Sequence, residues 1–132
     1  MSEPVQPIWI DERDAIALYD RLLALDGGPA GVPDEGLLKS ALARSQQLQV
    51  YGDAPDIVDL ATAFAAGIIR NHPFIDGNKR TGFVVGVLFL EMNGRRLTAS
   101  EEDATQAVLG LAAGTLDEAA FAAWMRANVD IH

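Results

Sequence analysis

Between Arg70 and Thr81 the chain reads Arg-Asn-His-Pro-Phe-Ile-Asp-Gly-Asn-Lys-Arg-Thr. A histidine, an aspartate, a lysine and two arginines crowd this stretch, directly ahead of the most apolar run in the sequence, Gly82 to Leu90. A helix that begins near Asn78 leaves its first backbone N–H groups without partners. Those donors and the positive end of the helix dipole attract anions. Gly77-Asn78 permits the tight turn that aims them outward. Lys79 and Arg80 fall in the first helical turn, where a cation opposes the dipole, so an anionic ligand accounts for them better than helix stability does. Asp76 beside the same site would repel a phosphate unless a hard divalent ion such as Mg²⁺ bridges the two. These parts describe a phosphate site for a nucleoside triphosphate. His72 stands at its edge, and a side chain with an ordinary pKa near ~6.5 suits a general base acting on a hydroxyl. Blander readings exist for three of these residues. His72 follows Ile68 by one helical turn and extends an apolar stripe, Asp76 fits a turn or an N-cap, and Arg70 fits a surface ion pair.

The elements that must hold this stretch are helical. The chain has 132 residues, 49% of them hydrophobic and 22% charged, which describes one globular domain over residues 1–132. Its 21 alanines favour closely packed helices. Residues 1–10 read as an arm docked through Trp9. A first helix runs from Asp11 to about Leu25, and the break Asp26 to Pro33 follows it. Asp34 opens a second helix, which ends in a break from Val50 to Pro55. Asp56 with Asp59 caps a third, stopped by Pro73 and Gly77. The fourth begins near Asn78; being apolar on every side, it is expected to be the central buried helix, with Gly82 and Gly86 admitting a close neighbour. Asn93-Gly94 ends it. Ser100 with Asp103 opens a fifth helix, to about Ala113, and Thr115 with Glu118 a sixth, to about Asn128. The fold class is all-α: a compact bundle of about six helices, with the active loop between two central ones. Short strands are the alternative for Arg95–Thr98 and Gln49–Tyr51.

The net charge of −9 disfavours direct nucleic-acid binding over a broad surface. The absence of cysteine excludes disulfides, thiolate metal sites and cysteine nucleophiles. No secretory signal is visible and no apolar run is long enough for a membrane, so a cytoplasmic location is expected.

His72-Pro73-Phe74-Ile75-Asp76-Gly77-Asn78-Lys79-Arg80 resembles the signature of the Fic/Doc family, H-x-F-x-[DE]-[GA]-N-x-R. The resemblance extends to the break after the first helix, to Arg70, and to the run Leu88 to Gly94. In Fic-type adenylyltransferases the motif continues with a second glycine where this chain has Lys79, and with a further arginine where it has Phe83. Both differences resemble the Doc, or death-on-curing, toxin branch. That resemblance implies transfer of the γ-phosphoryl group of ATP to a threonine of elongation factor Tu, which blocks translation. Lys79 fills space that a glycine leaves for phosphates, and the missing arginine removes a second clamp, so a different phosphate would lie beside His72.

The resemblance also implies roles. His72 deprotonates the attacking hydroxyl. Asp76 orients Mg²⁺. Asn78, with the backbone of Gly77 and Lys79, forms an anion cradle. Lys79 and Arg80 neutralise transition-state charge, worth ~3 kcal/mol each for such groups. Arg70 is a further phosphate contact, and Phe74 anchors the loop. An antitoxin is the implied partner, with a disordered C-terminal segment that folds into a groove on the toxin. The inhibitory helix pattern of many Fic enzymes is broken at Asp103, which implies inhibition by a separate chain. Two other functions compete with this one: protein adenylyl or nucleotidyl transfer of the Fic type, and a non-catalytic binding scaffold.

Overall fold

A computed structural model of the chain describes residues 7–26, 34–74 and 77–131. The helices are α1 (Glu12–Asp26), α2 (Glu35–Tyr51), α3 (Ile57–Asn71), α4 (Asn78–Met92), α5 (Glu101–Ala113) and α6 (Glu118–Ala127). Two three-residue strands accompany them, β1 (Arg95–Leu97) and β2 (Val129–Ile131). The expected helical bundle is present. The strand alternative holds for Arg95–Leu97, which pairs antiparallel with β2, Leu97 facing Val129. It fails at Gln49–Tyr51, where α2 continues to Tyr51.

The central helix is α3, not α4. Twelve of the fifteen residues of α3 are buried, against seven of fifteen in α4. Helix α3 is sandwiched between α2 and α4, with α6 and α5 also against it. Small residues set these approaches. A Cβ on Gly67 would lie 2.7 Å from the carbonyl oxygen of Ala41 in α2, and one on Gly82 would lie 3.0 Å from that of Ala65 in α3. Only a hydrogen fits at either place. The expected close neighbour of Gly82 is therefore α3. On its other side α4 keeps Phe83, Val84, Val87 and Leu88 half-buried. The apolar sequence of that face does not seal it.

Phe64 and Phe89 meet at the centre with ring centroids 4.9 Å apart. Trp9 packs on both, at 6.1 and 5.9 Å. Asn93 fastens the segment that carries Trp9. Its Oδ1 accepts from the Ile8 N–H at 2.7 Å and its Nδ2 donates to the Ile8 carbonyl at 3.0 Å. Residues 1–6 lie outside the described set, as does most of the Asp26–Pro33 break. No helix among the described residues is long and apolar enough to cross a membrane.

The cap expected at Thr115 is instead Asp117, which accepts from the Ala120 N–H at 2.8 Å. Thr115 donates its hydroxyl to the Gly110 carbonyl, so it belongs to the turn that closes α5. A short polar residue serves either an N-cap or a turn equally well. Here the aspartate two positions on takes the cap.

Candidate active site

The loop from α3 to α4 starts with a left-handed residue. His72 caps α3 at φ 52°, ψ 54°, and its N–H donates to the Ile68 carbonyl at 3.2 Å. This is the usual way an α-helix is stopped, though normally with glycine. The turn swings His72 off the apolar stripe that Ile68 begins, and the residue is exposed. The extension of that stripe expected from spacing is thus corrected, because the stripe ends with the helix.

Three contacts fix the residues on either side of His72. The Asp34 N–H, at the entrance to α2, donates to the Pro73 carbonyl at 2.7 Å. Asn71 Nδ2 donates to the Leu37 carbonyl at 3.2 Å. Phe74 is buried and stacks on Tyr19 of α1, with centroids 4.1 Å apart and planes 11° from parallel. Phe74 is thus the anchor the sequence indicates, and α1 holds it.

Asn78 then closes the loop. Its Oδ1 accepts from the Phe74 N–H at 3.0 Å, and its Nδ2 donates to the Phe74 carbonyl at 2.9 Å. Both ends of the buried amide are engaged with the loop, so what Asn78 offers a ligand is its backbone N–H. Gly77 is the N-cap of α4, at φ 75°, a conformation that suits glycine.

The start of α4 differs from every other helix start described. Asp11, Asp34, Asp56, Ser100 and Asp117 each accept a hydrogen bond from the N–H three residues on. Gly77 has no side chain to do so, and the first turn of α4 contains no acidic residue. Lys79 and Arg80 are exposed in that turn. The N-terminal donors, the dipole and two cations therefore add up at one place, and this donor set fits a phosphate chain. A groove of about 460 Å³ opens beside it, lined by Lys79, Arg80, Phe83 and Val84 of α4 and by Thr105, Val108 and Leu109 of α5, among others.

Arg70 has a carboxylate partner. Its Nη1 donates to Glu118 Oε1 at 2.9 Å, and Arg44 of α2 pairs with the same oxygen. Glu118 thus ties the last turn of α3 to the first turn of α6. Asp76, the carboxylate assigned to Mg²⁺, lies outside the described residues. Among the described residues no three histidine or acidic side chains group so as to hold a metal ion. His72, Asn78, Lys79 and Arg80 are thus brought to one loop and helix start, while Arg70 turns to an ion pair on the last turn of α3. Tyr19, Asn71 and Glu118 support this arrangement, a part that sequence reasoning did not give them; Glu118 entered it only as the partner of Thr115 in a helix cap. Nothing in their local spacing marks them, since each acts on a residue at least 34 positions away.

Residues 9–90 match the Fic/DOC family. The protein kinase doc of Escherichia phage P1 is 31% identical over 117 residues, which cover 89% of this chain and 92% of that protein. The toxin Doc of Mycolicibacterium smegmatis is 47% identical over 75 residues, covering 55% of this chain and 57% of that protein.

Proposed function

Because the chain belongs to the Fic/DOC family, in its Doc toxin branch, we propose that it is the toxin of a toxin–antitoxin module and moves the γ-phosphoryl group of ATP to a threonine hydroxyl of elongation factor Tu. The observation that carries this reading is the one helix start among the described residues without a side-chain cap or an acidic first turn, where Lys79 and Arg80 stand across the loop from His72 in sequence. Such a place favours the negative charge of a phosphoryl group in transit.

His72 takes the proton of the threonine hydroxyl. The freed oxygen forms a bond to the γ-phosphorus, and the bond from that phosphorus to the β,γ-bridging oxygen breaks. ADP leaves with that electron pair. The backbone N–H groups at the start of α4 hold the phosphoryl oxygens, and Lys79 and Arg80 balance the charge spread over them. Asp76 is the residue offered to Mg²⁺, which when bound neutralises phosphate charge. Phosphoryl transfer is favoured over adenylyl transfer by Lys79 and Phe83. The first fills the space a glycine would leave, and the second puts a ring where an arginine would clamp a further phosphate. The name of the phage P1 relative, a protein kinase, agrees with that preference.

The test is incubation of the protein with elongation factor Tu, Mg²⁺ and ATP labelled at either the γ or the α phosphorus. Label from the γ position, with a mass gain of one phosphate that disappears in His72→Ala, is the expected result. Label from the α position replaces this reading with adenylyl transfer. Growth arrest that survives His72→Ala replaces it with a binding scaffold.

A further inference from the structure

Asn71 and Pro73 flank His72, and both are tied to the first turn of α2. Asn71 Nδ2 donates to the Leu37 carbonyl at 3.2 Å, and the Pro73 carbonyl accepts from the Asp34 N–H at 2.7 Å. Asp34 also caps that turn, its Oδ1 accepting from the Leu37 N–H at 3.0 Å. One capped helical turn thus grips the chain immediately before and immediately after His72. Between the grips His72 holds φ 52°, ψ 54°, a left-handed conformation uncommon for any residue but glycine. The next residue makes it less favourable still, because a residue that precedes proline prefers extended backbone. Such a conformation persists only where the surroundings over-determine it.

A general base is commonly oriented by a further side chain. Among the described residues no side chain bonds the His72 imidazole. What aims the ring is therefore the backbone that carries it.

We propose that Asn71 is a positioning residue for His72: its amide clamps the left-handed turn to α2 and so aims the imidazole at the hydroxyl to be activated. The proposal rests on the phosphotransfer reading above. Asn71 is the last residue of α3, half-buried, and its side chain crosses to a helix 34 positions away in sequence. With the Pro73 grip alone, the end of α3 is free to shift and His72 to relax toward the extended backbone that Pro73 favours. The imidazole then points elsewhere, while the start of α4, held separately by Asn78, keeps its phosphate donors in place.

The test combines NMR of the free protein with steady-state kinetics of γ-phosphoryl transfer. Asn71→Leu keeps the volume and removes the donor; Asn71→Ala makes the same comparison if leucine folds poorly; Asn71→Gln keeps an amide donor. The parent is expected to show a strong intraresidue NOE between the amide and α protons of His72, the mark of a positive φ. In Asn71→Leu that NOE is expected to weaken. Its kcat per folded molecule is expected to fall by about ten- to a hundredfold, the scale of a misplaced catalytic group, with the KM for ATP unchanged. Asn71→Gln is expected to restore most of both signals. A purely structural role would lower the folded fraction and spare the kcat of the molecules that remain folded. A parental NOE or a parental kcat per folded molecule in the donor-less variants overturns the clamp. If the parent transfers no γ-phosphoryl group, the phosphotransfer reading falls, and the NOE, which needs no substrate, still decides whether Asn71 holds the turn.

Discussion

The amide of Asn78 spans the backbone of Phe74, accepting from its N–H at 3.0 Å and donating to its carbonyl at 2.9 Å. A single side chain thus closes the loop that presents His72, and it does so from inside the helix that presents Lys79 and Arg80. Loop shape and helix start are consequently one unit. Asn78→Ala leaves two buried backbone groups unpaired, at about 1–3 kcal/mol for each such group. Urea denaturation is expected to show a loss of roughly 2–6 kcal/mol, with transfer activity falling by more than the folded fraction does. An unchanged midpoint would mean that the loop holds its shape without Asn78.

Tyr19 carries a buried hydroxyl that has no hydrogen-bond partner among the described residues, while its ring stacks on Phe74. Tyr19→Phe keeps the stack and removes the unsatisfied group, so stability is expected to rise by about 1 kcal/mol. Tyr19→Ala removes the stack and leaves a cavity under the loop, with a loss of about 3–5 kcal/mol expected. Thermal or urea unfolding of the pair checks both signs.

Glu118 separates two roles for Arg70. If the guanidinium serves only the α3–α6 junction, Arg70→Ala and Glu118→Ala both weaken the fold, by about 1 kcal/mol or less for each such half-exposed pair, Glu118→Ala the more because Arg44 loses its partner too, and both leave the KM for ATP where it is. If Arg70 also meets phosphate, Arg70→Ala raises that KM and Glu118→Ala does not. The ion-pair geometry favours the first outcome.

Asp56, the N-cap of α3, is held by Arg126 of α6, whose guanidinium also reaches Asp59 at 2.8 Å. Partial burial raises the Asp56 pKa, but the Arg126 side chain and the Asp59 N–H outweigh it and set the pKa below its ordinary value of 3.8. A carboxyl with a depressed folded-state pKa contributes stability above its unfolded value and loses it as the pH falls through the folded one. The contribution is therefore intact near neutrality and fades below about pH 3.8. In Arg126→Gln the Asp56 pKa, followed by NMR, is expected to rise, with a stability loss under about 1 kcal/mol at pH 7 that shrinks in acid.

How far the sequence reveals this arrangement depends on the range of each interaction. The motif loop is legible because its residues are adjacent and because cations in a first helical turn contradict the dipole. Helix starts are legible at Asp34, Asp56 and Ser100, where cap and N–H lie three residues apart. The pairing of β1 with β2 is not, since three-residue strands are too short to show a period. The rank of α3 over α4 in burial is also hidden. Both are apolar, and only the tertiary arrangement decides which is covered on both sides. The stack of Tyr19 on Phe74 and the pairing of Arg70 with Glu118 join residues 55 and 48 apart, and no local pattern encodes such distances.

Gly67 and Gly82 bring backbone against backbone on opposite sides of α3. Helices α2, α3 and α4 are consequently layered with no room for a side chain at these two crossings. Sequence drift that retunes such a protein toward a new target is confined to the outer skin of those layers. At those two points not even one methyl group can be added without a shift of the helices or their side chains, so the outer surface of the protein and its framework are physically separate parts.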